Sequence, residues 1–458
     1  MKKLVLGLAS LCIALPALAQ EVPAATGGGN VTEAAPRTKI TRPVRPQRPL
    51  FKVKGRAEVA PSVSVGAPSA PGAPSAPRAV IGEGFRATTG VGSTYSYSAN
   101  ANSVTAMGTN AEPRNRQEQG DDPVKTKFYS HSYKVDRNDK INISNSYGSI
   151  TIKTWDKNEI KIDADIKAYA NTEEEAQKLL DGVIVKPTKE SDQLTYKAGV
   201  SERSGSWGRG SINGKRWRRE VKIYLTVYMP KNNPLNISQE YGNVYIDDFD
   251  GPTSIKVQYG AIAGGNLTNP NNYISAEYSS TKFKSINQAR IKRAYGGGLY
   301  INSIGNIDLD SQYAGVNIYT IKNSGNIRQE YGGGVNIVNA NNLTLNAHYI
   351  RTKITTLTGN LNAKLEYGGF SVDNVETSAK VFNITSSYTT MNLGFGENYH
   401  ANFKVSTDYA PFKYGDNISA KKLGDDKSYT SKSYAGQIGK GGSANVTVKA
   451  EYGSVTFK

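Results

Sequence analysis

Cysteine and histidine are scarce in this chain of 458 residues, which has one cysteine, Cys12, and three histidines, His131, His348 and His400. Cys12 lies in a short apolar stretch near the N-terminus, so we expect a mature protein without disulfides. None of the histidines has metal-ligand spacing to another. The sequence therefore predicts no metal site and no cofactor.

Long hydrophobic runs are missing after residue 19, so no transmembrane segment is predicted. Residues 1–19 have the composition of a secretion signal, with Lys2 and Lys3 before an apolar stretch and the small residues Ala17 and Ala19 at its end. We expect export to the periplasm, the outer-membrane surface or the extracellular space. The net charge of +17 suits contact with acidic polymers.

Enzyme motifs are absent, because the chain has no P-loop, no dinucleotide-binding glycine pattern and no Gly-x-Ser-x-Gly. Asp308 and Asp310 would share one face of a strand, as a carboxylate pair for glycoside cleavage requires. The counterparts of Asp310 one repeat away are Lys292 and Arg328, and such cations keep both carboxylates ionised. The sequence predicts a protein that is not an enzyme; the alternative is a polysaccharide-active β-helix enzyme.

Residues 20–125 are rich in proline, alanine and glycine and lack the apolar periodicity that a core needs, which predicts a disordered arm. Within them, residues 37–56 contain eight basic and no acidic side chains. A solvated basic linker and an electrostatic tether to an anionic envelope polymer are both open interpretations.

Tyrosine, in contrast, is abundant and periodic. Twelve tyrosines follow one pattern: Tyr147, Tyr241, Tyr259, Tyr278, Tyr295, Tyr313, Tyr331, Tyr349, Tyr367, Tyr388, Tyr409 and Tyr452. From Tyr241 to Tyr367 they are separated by 18, 19, 17, 18, 18, 18 and 18 residues, which is typical of stacked repeats. An apolar residue precedes each tyrosine by four positions, so in a strand the two share a face and the ring is expected to be buried.

Glycine follows many of these tyrosines, and the apolar pattern changes parity there, which predicts a corner at glycine. The sequence thus predicts an all-β fold: a parallel β-solenoid of ~18-residue rungs with one short capping α-helix. Each rung would end in a polar return such as residues 323–326. The helix is expected between Thr172 and Gly182, with Ala176, Leu179 and Leu180 on its buried side.

The predicted domain comprises residues 126–458. Its first part, 126–234, holds the N-terminal cap and first strands, and the regular rungs follow at 235–415. Residues 416–458 form a polar loop and closing strands, which are expected to close the far end of the rod.

Residues 147–152, Tyr-Gly-Ser-Ile-Thr-Ile, are followed by Trp-Asp-Lys-Asn-Glu-Ile at 155–160 and by the acidic start of the helix at 173–177. In these motifs the chain resembles the bacterial putative-adhesin domain family over residues 126–458. The resemblance implies a secreted or surface β-solenoid with no agreed activity and no established catalytic residues.

Two basic surfaces are candidate sites for an anionic polysaccharide or another surface polymer. The first is a glycine-rich basic loop in which aromatic and cationic side chains combine: Arg203, Trp207, Arg209, Lys215, Arg216, Trp217, Arg218 and Arg219. Its alternative interpretation is a disordered hairpin tip. The second, the basic row, lies three residues before tyrosine in every second repeat: Lys256, Lys292, Arg328 and Lys364. Its alternative is a charge-balanced solvated face.

Adhesin-like binding or scaffolding is the predicted function, with no intracellular nucleic acid as partner. A structural or envelope-stress component of the periplasm without an external ligand is a further alternative. The oligomeric state stays open.

Overall fold

The computed structural model describes residues 122–201, 207–424 and 429–458, except for the side chain of Ile212. These residues form one helix and many strands, so the predicted all-β class with a single helix is confirmed. The described range begins close to the predicted domain start, and most of the predicted N-terminal arm lies outside it. No helix in the described ranges is long and apolar enough to cross a bilayer.

The N-terminal part contains eight strands and the helix. They are β1 (Val124–Lys134), β2 (Lys140–Asn145), β3 (Gly148–Trp155), β4 (Glu159–Tyr169), α1 (Glu173–Asp181), β5 (Val183–Glu190), β6 (Gln193–Val200), β7 (Gly208–Ile212) and β8 (Lys215–Pro230). Strand β4 pairs antiparallel with β1 and with β8, whereas β8 pairs in parallel with β3.

Helix α1 has the predicted ends. The Thr172 hydroxyl accepts a hydrogen bond from the Glu175 backbone N–H at 3.2 Å, and Gly182 caps the last turn. Ala176, Leu179 and Leu180 are buried, as the apolar spacing predicts. The helix packs against β1, β4 and β8.

The repeats occupy twelve further strands. They are β9 (Leu235–Glu240), β10 (Gly242–Ile246), β11 (Thr253–Gln258), β12 (Ala261–Leu267), β13 (Asn272–Glu277), β14 (Ser280–Ala294), β15 (Leu299–Gln312), β16 (Val316–Glu330), β17 (Val335–His348), β18 (Arg351–Leu357), β19 (Leu361–Val375) and β20 (Val381–Phe395). Strands on both sides of each tyrosine pair in parallel with their counterparts in the next repeat, as in β14 with β15 and β15 with β16. The apolar positions predicted four residues before tyrosine are buried along the whole series.

The predicted polar return at residues 323–326 is wrong, because β16 runs through it with only a register shift between Ile321 and Ser324. Side chains link neighbouring repeats at this register shift. The Ser324 hydroxyl donates to Asn306 Oδ1 at 2.8 Å, and Asn326 Nδ2 donates to Asp308 Oδ1 at 2.9 Å. Short polar side chains thus satisfy one another across the repeats while the backbone continues as a strand.

The corner also differs from the prediction, because the chain turns at the tyrosine. Eleven of the twelve tyrosines adopt left-handed φ values between +47° and +58°, and Tyr147 is the exception. A left-handed residue interrupts strand alternation, so the side chain projects outward from the corner. The prediction that these rings are buried beside an aliphatic partner is therefore wrong.

The glycine after tyrosine is needed for space. A Cβ on Gly242 would lie 1.8 Å from the carbonyl oxygen of Gly148, and one on Gly260 would lie 1.8 Å from that of Gly242. Neither glycine has a positive φ. At Gly242 and Gly260 the stacked backbones approach too closely for a side chain, whereas other repeats have a larger residue after tyrosine, such as Ser279 and Ala314.

Six strands complete the C-terminal part: β21 (Ala401–Asp408), β22 (Phe412–Tyr414), β23 (Ile418–Leu423), β24 (Ser431–Ile438), β25 (Ala444–Glu451) and β26 (Ser454–Phe457). Strand β25 pairs in parallel with β20 on one side and with β21 on the other. Strand β26 likewise lies between β20 and β22.

The expected closing role of the last strands is wrong, because residues 444–458, the inserted repeat, lie between two repeats that precede them in sequence. The hairpin of β23 and β24 pairs antiparallel with β21 beyond them. Part of the predicted polar loop is therefore strand.

Phe457 of the inserted repeat joins an aromatic cluster from both neighbouring repeats. Its side chain is 1% exposed, and its ring centroid lies 5.2 Å from that of Phe395, 5.5 Å from Phe403 and 5.0 Å from Phe412. The three contacts join β20, β21 and β22 to the insert.

We expect Phe457→Ala to lower the free energy of unfolding by about 3–5 kcal/mol, because a buried aromatic ring is lost and a cavity remains. Urea unfolding measures the change. Lys458→Ala, at an exposed neighbour, is the control and is expected to stay within about 0.5 kcal/mol. Equal effects of the two substitutions would contradict the burial of Phe457 between the two neighbouring repeats.

Tyr399 lies beside this cluster. It is 1% exposed, its hydroxyl has no hydrogen-bond partner among the described residues, and burial raises its pKa to about 12. Ionisation of this phenol is easier in the unfolded chain. The contribution of the neutral Tyr399 to the free energy of unfolding is therefore fully present below pH 10, and it is lost as the pH rises through about 12.

Tyr399→Phe is expected to be at least as stable as the natural chain at pH 8, because an unpaired buried hydroxyl is removed. Between pH 10 and 12 the natural chain is expected to lose about 2–3 kcal/mol more than the variant, at about 1.4 kcal/mol per pKa unit. Unfolding curves across this pH range measure the difference. Equal losses of stability in the two proteins would show that Tyr399 does not have the raised pKa.

Candidate binding face

The tyrosines form a continuous outer column, the tyrosine ladder, which Trp207 extends at one end. In spatial order its rings are Trp207, Tyr147, Tyr241, Tyr259, Tyr278, Tyr295, Tyr313, Tyr331, Tyr349, Tyr367, Tyr388, Tyr452 and Tyr409. Neighbouring centroids are 4.7–6.0 Å apart, and their planes differ by at most 13°. Such stacking contributes about 0.5–1.5 kcal/mol per pair beyond burial.

The ladder presents ring edges and hydroxyls to solvent. Tyr241 is 36% exposed and Tyr409 is 57% exposed, and the rings between them are partly or largely exposed. Ring faces are covered by the rings above and below. A ligand along the ladder therefore meets a row of phenol edges and not open aromatic faces.

Three phenols of the ladder have a raised pKa. Partial burial raises the pKa of Tyr259, Tyr349 and Tyr452, and adjacent phenols add to the effect. Carboxylates of the residue before tyrosine contribute too; Glu277 and Glu240 act on Tyr259. The residues before tyrosine thus form a partly acidic row beside the ladder.

The basic row has the predicted register. Lys256 pairs with Ser275, Ser275 with Lys292, and Lys292 with Asp310 in adjacent strands. The same row continues through Arg328, Asn346 and Lys364. The four cations are exposed and lie on every second repeat.

Two of these cations are already balanced. Arg328 Nη2 lies 2.6 Å from Glu330 Oε1, and Lys364 Nζ lies 3.1 Å from Glu366 Oε1. Among the described residues no ion pair involves Lys256 or Lys292. The alternative interpretation, a charge-balanced solvated face, thus fits Arg328 and Lys364 better than it fits Lys256 and Lys292.

A shallow depression of about 240 Å³ interrupts this face where Ala294 stands in place of a longer side chain. Its charged lining residues include Glu277, Lys292 and Asp310. The exposed charges that the depression offers to a ligand are therefore one cation and two carboxylates.

Arg293 lies directly beneath and is only 4% exposed. Its guanidinium donates to the carbonyl oxygens of Ser279 at 2.7 Å, of Gly315 at 3.4 Å, and of Gly297. Burial lowers its pKa to about 10. Arg293 thus joins the corners of three successive repeats, and its hydrogen bonds serve the fold.

The glycine-rich basic loop is a β-hairpin, the element that its alternative interpretation names. β7 pairs antiparallel with the start of β8, and Asn213 and Gly214 form the turn with φ values of +51° and +77°. Arg209, Lys215 and Arg216 are exposed on it. The predicted site residue Arg203 lies outside the described residues.

The remaining basic and aromatic residues of the hairpin make internal contacts. The Arg218 guanidinium lies 3.6 Å above the Tyr169 ring, and its Nε donates to Glu220 Oε2 at 2.9 Å. Arg219 lies 5.8 Å from the Trp207 ring. Trp217 packs against Gly210, where a Cβ would lie 2.7 Å from the indole nitrogen.

The position of Trp207 at the end of the ladder was missed by sequence reasoning, although a signal exists. Trp207-Gly208 repeats the Tyr147-Gly148 pattern, and the two glycines have similar φ values, +122° and +111°. The spacing from Tyr147 is irregular, so periodicity alone does not find it.

Acidic clustering is limited. In the described ranges, Asp136, Asp139 and Asp192 bring carboxylate oxygens within 4.8 Å of one another. Lys189 Nζ lies 3.1 Å from Asp139 Oδ2 and supplies a positive charge there. Asp308 is hydrogen-bonded to Asn326, and its carboxylate lies 3.5 Å from the Arg290 guanidinium.

No protein-family model matches the chain, and no curated protein matches it. Solved structures do align with it. One is a putative cell adhesion protein from Clostridium sporogenes, 11% identical, aligned over 73% of this chain and 99% of its own, with a TM-score of 0.16. Another is a putative adhesin from Parabacteroides distasonis. It is 11% identical, aligned over 58% of this chain and 96% of its own, with a TM-score of 0.26.

A putative lipid-binding protein from Parabacteroides distasonis is 11% identical over 72% of this chain and 96% of its own, with a TM-score of 0.25. Two of these names, cell adhesion protein and adhesin, correspond to the adhesin name of the family that the sequence resembles. Scores this low carry no argument about fold or activity.

Removing one ring from the ladder tests its energetic contribution. Tyr313→Phe keeps both 5.1 Å stacking contacts and is expected to change the free energy of unfolding by less than about 0.5 kcal/mol. Tyr313→Asn suits the left-handed backbone but removes both contacts, so we expect a loss of about 1–3 kcal/mol. Urea unfolding distinguishes them, and equal effects would mean that stacking is not stabilising.

Proposed function

We propose that this chain is an exported, adhesin-like binding protein without enzymatic activity, whose repeats wind as a β-solenoid. Parallel pairing of equivalent segments on both sides of each tyrosine supports the winding. The proposed ligand is an extended anionic polymer, such as an acidic polysaccharide, lying along the tyrosine ladder and the basic row.

One observation carries the proposal: the ladder and the row repeat along a single direction with the spacing of paired strands. Centroid separations of 4.7–5.2 Å persist from Tyr241 to Tyr367. Cations on alternate repeats are then about 10 Å apart, at two strand spacings. A surface with translational repetition matches a polymer with repeating charge better than it matches a compact ligand.

The strength of each contact is expected to be small. Exposed ion pairs contribute about 0.2–1 kcal/mol each, and Arg328 and Lys364 must partly exchange their own carboxylate partners for those of the ligand. Binding would therefore arise from many simultaneous weak contacts and would weaken with salt.

The hairpin extends the same surface. Trp207 places it at the end of the ladder, and Arg209, Lys215 and Arg216 are available there for an anion. Arg218 is excluded from this role, since its guanidinium is held by Tyr169 and Glu220.

Neutralising the basic row tests the proposal. The variant Lys256→Gln, Lys292→Gln, Arg328→Gln and Lys364→Gln is expected to bind immobilised polygalacturonate about tenfold more weakly at low salt. This corresponds to about 1.4 kcal/mol from four exposed contacts. Binding isotherms at several NaCl concentrations measure it.

The control removes the same charge elsewhere, with Lys178, Lys322, Lys413 and Lys432, all exposed, changed to Gln. The affinity of this control variant for polygalacturonate is expected to fall less than threefold. Equal losses would show a non-specific charge effect. Shortening of the polymer during incubation would favour the enzyme alternative.

A further inference from the structure

The inserted repeat fills a slot, defined as the space between β20 on one side and β21 and β22 on the other. Backbone hydrogen bonds reach both walls. The N–H groups of Asn445 and Lys458 donate to Lys380 and Leu393 at 2.8 Å, whereas that of Tyr452 donates to Asp408 at 3.0 Å. A strand in this slot is paired along both edges.

Side chains also fit the slot. Val446, Val448, Val455 and Phe457 are at most 1% exposed, so one face of the insert lies entirely in the core. The Tyr452 ring stacks between those of Tyr388 and Tyr409, at 4.8 and 4.9 Å. The slot thus selects a strand with alternating apolar residues around an aromatic residue.

Glycine after that aromatic residue is required too. A Cβ on Gly453 would lie 2.1 Å from the carbonyl oxygen of Thr389. Residues 444–458 meet every requirement, because they carry the repeat pattern of the whole chain.

The connection to the insert is short and glycine-rich. Residues 439–443 join β24 to β25 around the start of β21, where Ala401 pairs with both Ile438 and Ala444. Gly439 and Gly441 have φ values of +58° and +71°. This linker spans about 10 Å, at two strand spacings, before the insert begins.

Outer edges of the sheet oppose strand addition. Edge strand β1 carries Lys125, Lys127 and Lys134, and edge strand β23 carries Lys421 and Lys422. Lysines on an edge disfavour pairing with another chain. Pairing between copies is therefore disfavoured at these two edges.

We propose that the slot is a strand-binding site that also accepts residues 444–458 of a second copy of this chain, so that two chains exchange inserted repeats. All contacts of the insert are then reproduced between chains, and only the linker changes its path. The proposal does not depend on the polymer ligand.

A disulfide between two copies tests the exchange. Thr385 and Lys449 are exposed and directly paired across β20 and β25. Full-length chains in a Cys12→Ser background would carry Thr385→Cys in one copy and Lys449→Cys in the other. After joint incubation and mild oxidation, we expect covalent heterodimer at least tenfold above that of a control pair, Thr385→Cys with Lys432→Cys.

Deleting residues 440–442 strengthens the test, because the shortened linker strains insertion into the same chain and leaves exchange unstrained. This variant is expected to be dimeric by light scattering, and three added residues at the same place should give monomer. Heterodimer no higher than the control pair, even after incubation near the unfolding midpoint, would overturn the proposal whether or not the deletion variant folds.

Discussion

Tyrosine stacking at left-handed corners is the interaction on which the rest of this structure depends. A non-glycine residue with positive φ costs roughly 1–2 kcal/mol, and eleven tyrosines adopt such values. Contact with a ring on each side offsets that cost at about 0.5–1.5 kcal/mol per pair. One corner alone would gain nothing from a ring, so the corner conformation and the stack are stable only together and only in register.

That dependence links fold and surface. An outward ring at each corner leaves the interior mainly to aliphatic and phenylalanine side chains, and at Arg293 to a cation held by backbone carbonyls. The same turn brings the residues before tyrosine into columns, which puts the basic row and its carboxylates at fixed spacings. A repetitive outer face is thus a direct consequence of how the corner is built.

The period, the strand before each tyrosine and the helix with its Thr172 cap could be predicted, because each rests on local alternation or capping chemistry. The left-handed conformation of the tyrosine at each corner could not be predicted from the sequence. Apolar alternation predicts the same inward face for tyrosine whether the chain stays extended or turns left-handed. Only contacts between repeats decide which is adopted.

Spatial order was hidden for a related reason. Tyr452 has the same local pattern as Tyr388 and Tyr409, so nothing nearby in sequence states that it lies between them. At the hairpin, an Asn-Gly turn and a Trp-Gly pair gave usable signals, but glycine content favoured a flexible loop. Arg218 shows the limit for the candidate site: its charge was predicted, and its engagement by Tyr169 was not.

Backbone conformation of the ladder tyrosines shows most directly whether their rings form an outer column. Selective carbon-13 labelling of tyrosine, with assignment by single Tyr→Phe substitutions, reports φ for each position through its backbone chemical shifts. We expect eleven tyrosines in the left-handed region and Tyr147 outside it. Extended values at the ladder positions would mean that the rings point into the core, and the outer ladder would not exist.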